Sequence, residues 1–143
     1  LDKRFILITG HPGSGTTFLA ALLKELGYDL GDDTDIDNIP NREAGKQVRG
    51  MEHRPLYKLC MSWNMRYFPG HFAKASRKAI SKSCSALAVD DPMLADQVRE
   101  RVAQVSEGLP EVVKNPTMSR WLALWLMAGG KRPDFTIVCM RNT

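Results

Sequence analysis

RFILITGHPGSGTTFLAALLKELG, residues Arg4 to Gly27, sets a buried-type strand, a glycine-rich turn and an amphipathic helix in direct succession. Phe5 to Thr9 is a short β-branched apolar run, the composition of a central parallel strand covered on both faces. The strand is expected to end at Gly10. From Thr16 onward Phe18, Leu19, Leu22, Leu23 and Leu26 recur with helical spacing, and Gly27 supplies the left-handed residue on which such helices stop. The helix therefore starts inside the turn, and the turn presents backbone N–H groups at a helix N-terminus, an arrangement that suits an anion.

The turn itself, Gly10-His11-Pro12-Gly13-Ser14-Gly15-Thr16-Thr17, has the spacing of the P-loop G-x-x-x-x-G-K-[ST], with Thr16 where the lysine stands. Glycines at 10, 13 and 15 let amides converge on a phosphate without side chains in the way. The lysine that reaches the β and γ phosphates of a nucleoside triphosphate is missing, while Thr17 keeps the hydroxyl that such loops turn toward Mg²⁺. Phosphate binding is expected, and ATP chemistry is disfavoured.

Pro12-Gly13-Ser14-Gly15-Thr16-Thr17-Phe18 resembles the 5′-phosphosulfate loop of the sulfotransferases that use 3′-phosphoadenosine 5′-phosphosulfate (PAPS), of the bacterial and carbohydrate type. Members usually carry Lys or Arg where this chain has Gly13. Gly50-Met51-Glu52-His53-Arg54-Pro55, leading into a helix with Trp63, resembles the segment that faces the acceptor in that family. Lys114-Asn115-Pro116 resembles its K-D-P motif, with Asn115 for Asp. Val138-Cys139-Met140-Arg141-Asn142 resembles its v-x-x-R-x-P motif, with Thr143 for Pro. The resemblance implies that Arg141 grips the 3′-phosphate of the cofactor, joined by a serine that would lie beyond Thr143.

The 143 residues are one domain's worth, small for a complete nucleotide-dependent transferase. The expected unit is a single P-loop sulfotransferase-like domain, 1–143, truncated at its C-terminus. Hydrophobic residues at 43% and charged residues at 25% place the chain among folded globular proteins. The net charge of +4 suits an anionic nucleotide or an acidic acceptor and falls short of a nucleic-acid footprint. Cys60, Cys84 and Cys139 are odd in number and sit among apolar neighbours, so they read as buried thiols in a reducing, cytoplasmic setting. The densest apolar run, Trp121 to Ala128, is far short of the roughly 20 residues of a membrane span.

Further along, Asp32 to Asn38 is an acidic loop without the glycine and glutamate of an EF-hand, and no metal site is expected. Leu56, Leu59, Cys60, Trp63 and Tyr67 form a helical stripe with Pro55 in its first turn. Phe72 to Cys84 gives a weaker stripe with Lys74, Arg77, Lys78 and Lys82 on its other side. Asp90-Asp91-Pro92 starts a helix that runs to Gly108, followed by a strand at Glu111 to Lys114. Ser119 to Ala128 is apolar nearly all round and predicts a helix buried between the sheet and another layer; Phe135 to Met140 is the third apolar strand.

Strand, helix and strand thus repeat, which predicts a three-layer α/β/α fold of the P-loop nucleoside triphosphate hydrolase kind with a parallel sheet. Gly10, Lys114 and Arg141 then meet at one edge, the C-terminal ends of three strands. The expected activity is sulfuryl transfer from PAPS to a hydroxyl or amine. The loop residues Gly10 to Thr17 and Arg141 hold the nucleotide, and Lys114 supplies the cation that Gly13 lacks. Glu52 or His53 is the candidate general base, against a capping carboxylate and a surface imidazole. Lys114 has its own rival reading, a lysine trailing into solvent. The alternatives for the whole chain are a small-molecule kinase using ATP with Mg²⁺ and an inactive nucleotide-binding remnant.

Overall fold

The computed structural model describes residues 3–11, 13–32, 34–35, 50–67 and 92–141. Pro12, most of the acidic loop, the basic stripe with Cys84, the Asp90-Asp91 cap, Asn142 and Thr143 lie outside the described residues. In chain order the elements are β1 (Ile6–Gly10), α1 (Thr16–Glu25), β2 (Thr34–Asp35), β3 (Glu52–His53), α2 (Arg54–Tyr67), α3 (Pro92–Glu107), β4 (Val112–Lys114), α4 (Met118–Met127) and β5 (Phe135–Cys139). Among the described residues they make a five-stranded sheet in the order β2-β3-β4-β1-β5.

The sheet is parallel except at one edge. β1 pairs in parallel with β4, Ile8 beside Lys114, and with β5, Gly10 beside Cys139. β3 joins β4 in parallel at Glu52 and Lys114, while the two-residue β2 runs antiparallel to β3. Residues 34–35, expected in a loop, are therefore strand, and so are Glu52 and His53, expected only as the lead-in to a helix. Two-residue strands carry no alternation for a sequence to display.

Chain direction explains the layering. The step from β1 to β3 runs one way across the sheet, while the steps from β3 to β4 and from β4 to β5 run the other way. Right-handed crossovers then require α1 on one face and α2, α3 and α4 on the opposite face. The two cores agree. Phe5, Leu7 and Val113 pack with Leu56, Leu59, Cys60 and Trp63 of α2, Val102 of α3, and Met118, Trp121, Leu124 and Trp125 of α4. Ile6, Ile8 and Val112 pack on the other face with Ala20 of α1, Leu30 and Met51. β1 is buried along its whole length.

Local chemistry ends the elements as expected in most places. At the end of α1 the Gly27 amide donates to the Lys24 carbonyl and the Tyr28 amide to the Leu23 carbonyl, both at 3.0 Å. With Gly27 at φ 90°, this is the Schellman arrangement that the glycine predicts. α4 is different. Its side chains at Met118, Trp121, Leu124 and Trp125 are buried, but Leu126 and Met127 are exposed. It lies on the sheet with one face open, not between two layers.

In two elements apolar spacing alone does not tell which residues are covered. In α1 the buried positions are Thr16 and Ala20, with Leu19 and Leu23 partly covered, while Phe18, Leu22 and Leu26 face outward. Six apolar residues at such close spacing form two overlapping stripes, and the small Ala20 is the one that approaches the sheet. Among the described residues β5 is an edge strand, with Phe135, Ile137 and Val138 exposed.

β1 and β5 approach so closely at Gly10 that a Cβ there would overlap the Cys139 carbonyl oxygen, and the residue sits at φ 143°. Alanine at position 10 therefore meets both backbone and conformational strain. Gly10→Ala is expected to lower stability by about 2–4 kcal/mol. Urea unfolding followed by circular dichroism measures it; a loss below about 0.5 kcal/mol would contradict this packing.

Candidate functional site

Four parts of the chain meet at the C-terminal ends of the parallel strands: the loop after β1, the end of β4, β3 with the residues before it, and the end of β5. Gly13 and Gly15 lie at φ 83° and φ 92°, and a Cβ at either would meet nothing within 4 Å. The loop is open above both glycines, and a side chain is disfavoured there by conformation, not by lack of room. Gly15 precedes α1 without a side-chain cap, and the first turn of the helix contains no acid. Among the described residues no side chain caps the orphan donors of this helix start.

Not every loop group is available. The Ser14 amide donates to the His11 carbonyl at 3.1 Å, and the Ser14 hydroxyl donates to the same oxygen at 2.6 Å. Ser14 therefore holds the loop closed on itself, where the sequence suggested a phosphate ligand. The Thr16 side chain is buried, so this residue can offer an anion only its amide. His11 is exposed at the rim, and Thr17 is half-buried.

Lys114 departs most from a surface lysine. It is 3% exposed. Its Nζ donates to the Gly50 carbonyl at 2.7 Å and lies 3.4 Å from Glu52 Oε1. The register puts Lys114 beside Ile8 on one side and Glu52 on the other, on the sheet face that α1 covers. Burial pulls the ammonium below the ordinary lysine range, and the Glu52 carboxylate opposes that shift. The reading of a lysine trailing into solvent is overturned, because three residues at the end of a buried strand leave its side chain nowhere to go but along the sheet.

Of the two candidate bases, the structure brings only Glu52 to Lys114. His53 is the next residue of the same strand, and strand alternation turns it toward the opposite face. It is buried, not a surface imidazole, and Glu52 is an ion-pair partner of Lys114. Arg141 is exposed, two residues past the Gly10–Cys139 pair.

Asn115 directly follows the end of β4. Its amide donates to the Ile8 carbonyl at 2.8 Å, tying β4 to β1. Its Oδ1 accepts from the Thr117 amide at 2.9 Å, the Thr117 hydroxyl at 2.7 Å and the Met118 amide at 3.2 Å. That is the capping of a helix start, with Pro116 in the position that needs no N–H. An Asn-Pro pair before an apolar helical run is a signal from which this cap could have been read. Below it, Asn115 Nδ2 donates to Cys60 Sγ at 3.7 Å.

Burial pushes the Cys60 thiol up to about 12, so it is a packing group and not a nucleophile. At pH 8 its thiolate fraction is then about one in 10,000, whereas an unperturbed thiol ionises near pH 8.5. Iodoacetamide on the folded protein is expected to leave Cys60 unmodified and to reach the partly exposed Cys139, with mass spectrometry locating the label. Rapid native labelling of Cys60 would contradict its place in the core. Among the described residues no group of three or more His, Cys, Asp or Glu side chains could hold a metal ion. No helix among them is long and apolar enough to cross a membrane. Comparison of the chain with protein-family models, curated proteins and solved structures finds no match.

Proposed function

We propose that the chain is a P-loop domain of α/β/α type that binds a 3′-phosphorylated adenine nucleotide and transfers a sulfuryl group from PAPS to a hydroxyl or amine acceptor. The observation that carries this reading is the ion pair of buried Lys114 with the partly exposed Glu52, on the strand next to the one that leads into a phosphate-type loop lacking its own lysine. A cation and a carboxylate, both held at the ligand edge of a parallel sheet, supply what transfer to a nucleophile needs. The open glycines and the uncapped, acid-free start of α1 fit a phosphate group.

Bound PAPS would supply an activated sulfur atom whose departing group is 3′-phosphoadenosine 5′-phosphate (PAP). The amides of Gly13, Gly15, Thr16 and Thr17 hold the 5′-phosphate by their hydrogen bonds. Glu52, as a carboxylate, takes the proton that the acceptor loses as its oxygen or nitrogen bonds to sulfur. Lys114 sets positive charge against the oxygen whose bond to sulfur breaks. Arg141 grips the 3′-phosphate through paired, charge-assisted hydrogen bonds. A reducing, cytoplasmic setting accords with Cys60 and Cys139 being free thiols.

Calorimetry with PAP and ADP tests the nucleotide assignment. A guanidinium on the 3′-phosphate is worth about 1.5–3 kcal/mol, roughly 10- to 100-fold in affinity. PAP is expected to bind more tightly than ADP by that margin, and Arg141→Ala to remove most of the difference while leaving ADP nearly unchanged. Equal binding of PAP and ADP by the folded protein would sink the sulfotransferase reading and favour a kinase site, for which ATP binding should then depend on Mg²⁺.

Turnover tests the roles of the pair. Lys114→Ala is expected to lower kcat by about 100-fold or more, while changing PAP affinity by less than about threefold, because its charge acts on the departing oxygen. Glu52→Gln is expected to remove the limb of the pH-rate profile on which the base must be ionised. Nucleotide binding without transfer to any hydroxyl or amine would point to an inactive cradle.

A further inference from the structure

Met51 is the one residue other than glycine that the described backbone holds at positive φ, at 60°. Nothing in a loop of free shape would select an unbranched apolar side chain for that conformation, which L-residues other than Asn and Asp rarely adopt. The strain is kept by its surroundings: the Met51 side chain is buried with Ile6, Ile8, Ala20, Leu30 and Val112. On either side of it stand the two acceptors of Lys114, the Gly50 carbonyl and the Glu52 carboxylate.

An extended residue at 51 would send the Gly50 carbonyl and the Glu52 side chain in diverging directions. A left-handed residue between them turns the chain back, and both groups converge on one ammonium. Lys114 has three N–H donors, of which these two acceptors engage two. Because the ammonium is tetrahedral, fixing two donors fixes the direction of the third. We infer that Met51 is a positioning residue: its left-handed turn closes a two-acceptor clamp on Lys114 and thereby orients the remaining N–H of that lysine. The use of that N–H toward an anionic ligand rests on the reading of Lys114 as the site's cation, whereas the clamp itself does not.

Isomeric substitutions separate backbone conformation from side-chain bulk. Met51→Leu keeps volume, hydrophobicity and an unbranched Cβ. Met51→Ile keeps the first two but is β-branched, and β-branched residues resist positive φ. Acetic anhydride labelling of the folded protein at pH 8, read by mass spectrometry at Lys114, reports whether the clamp is closed. Lys114 is expected to label at the same slow rate in the wild type and Met51→Leu, and at least tenfold faster in Met51→Ile. Met51→Gly adopts positive φ freely and is expected to keep Lys114 protected despite losing its side chain. Unchanged Lys114 labelling in a folded Met51→Ile protein would overturn the inference. If Met51→Ile does not fold, Met51→Gly decides: fast labelling there means that side-chain packing, and not the turn, holds Lys114. No nucleotide enters this experiment, so its failure is distinct from a failure of PAP to outbind ADP.

Discussion

β1 is hydrogen-bonded on both edges and buried on both faces, and that double obligation organises the molecule. A strand so placed needs a partner on each side and a helix layer above and below it. Right-handed connections can meet the demand only if the chain first steps one way from β1 and later crosses back over it. The crossing point, where neighbouring connections leave in opposite directions, is the place at which open α/β sheets generally hold ligands. The glycine-rich loop, Lys114 and Arg141 all stand at the C-terminal ends of neighbouring strands because of strand order, although more than 100 residues of sequence separate the first from the last.

Charge inside the sheet follows from the same geometry. A lysine at the end of a three-residue buried strand loses much of its hydration, and burial alone would favour its neutral form. Glu52 comes within ion-pair distance because β3 pairs with β4 at that residue, and the Gly50 carbonyl adds a second acceptor. Such a pair contributes little net stability compared with apolar residues of the same shape, while breaking it leaves one charge stranded.

Much of this was legible in the sequence. The strand, turn and helix of residues 4–27, the α2 stripe and its proline, and the apolar strand before Asn115 are patterns with strong local causes. The sites of failure share a different cause. Phe18, Leu22 and Leu26 look like a buried stripe, but it is the small Ala20 that α1 turns to the sheet. β5 reads as an apolar strand and lies at an edge of the described sheet, since apolar composition reports what a strand could cover and not whether a neighbour covers it. Glu52 and His53 were equivalent candidates until strand pairing put them on opposite faces. The burial of Lys114 and the left-handed turn at Met51 depend on register between distant segments, which no window of sequence contains.

The three tryptophans, Trp63, Trp121 and Trp125, belong to one core, the layer of α2, α3 and α4. Trp63 and Trp121 stand with ring centroids 5.7 Å apart, and the indole N–H groups of Trp121 and Trp125 are both bonded inside the fold, to Asn64 and to the Lys131 carbonyl. Tryptophan fluorescence is therefore a one-sided optical probe. Its emission follows the opening of that layer, and loosening of the opposite layer, where α1 carries the glycine-rich loop, leaves all three indoles in place.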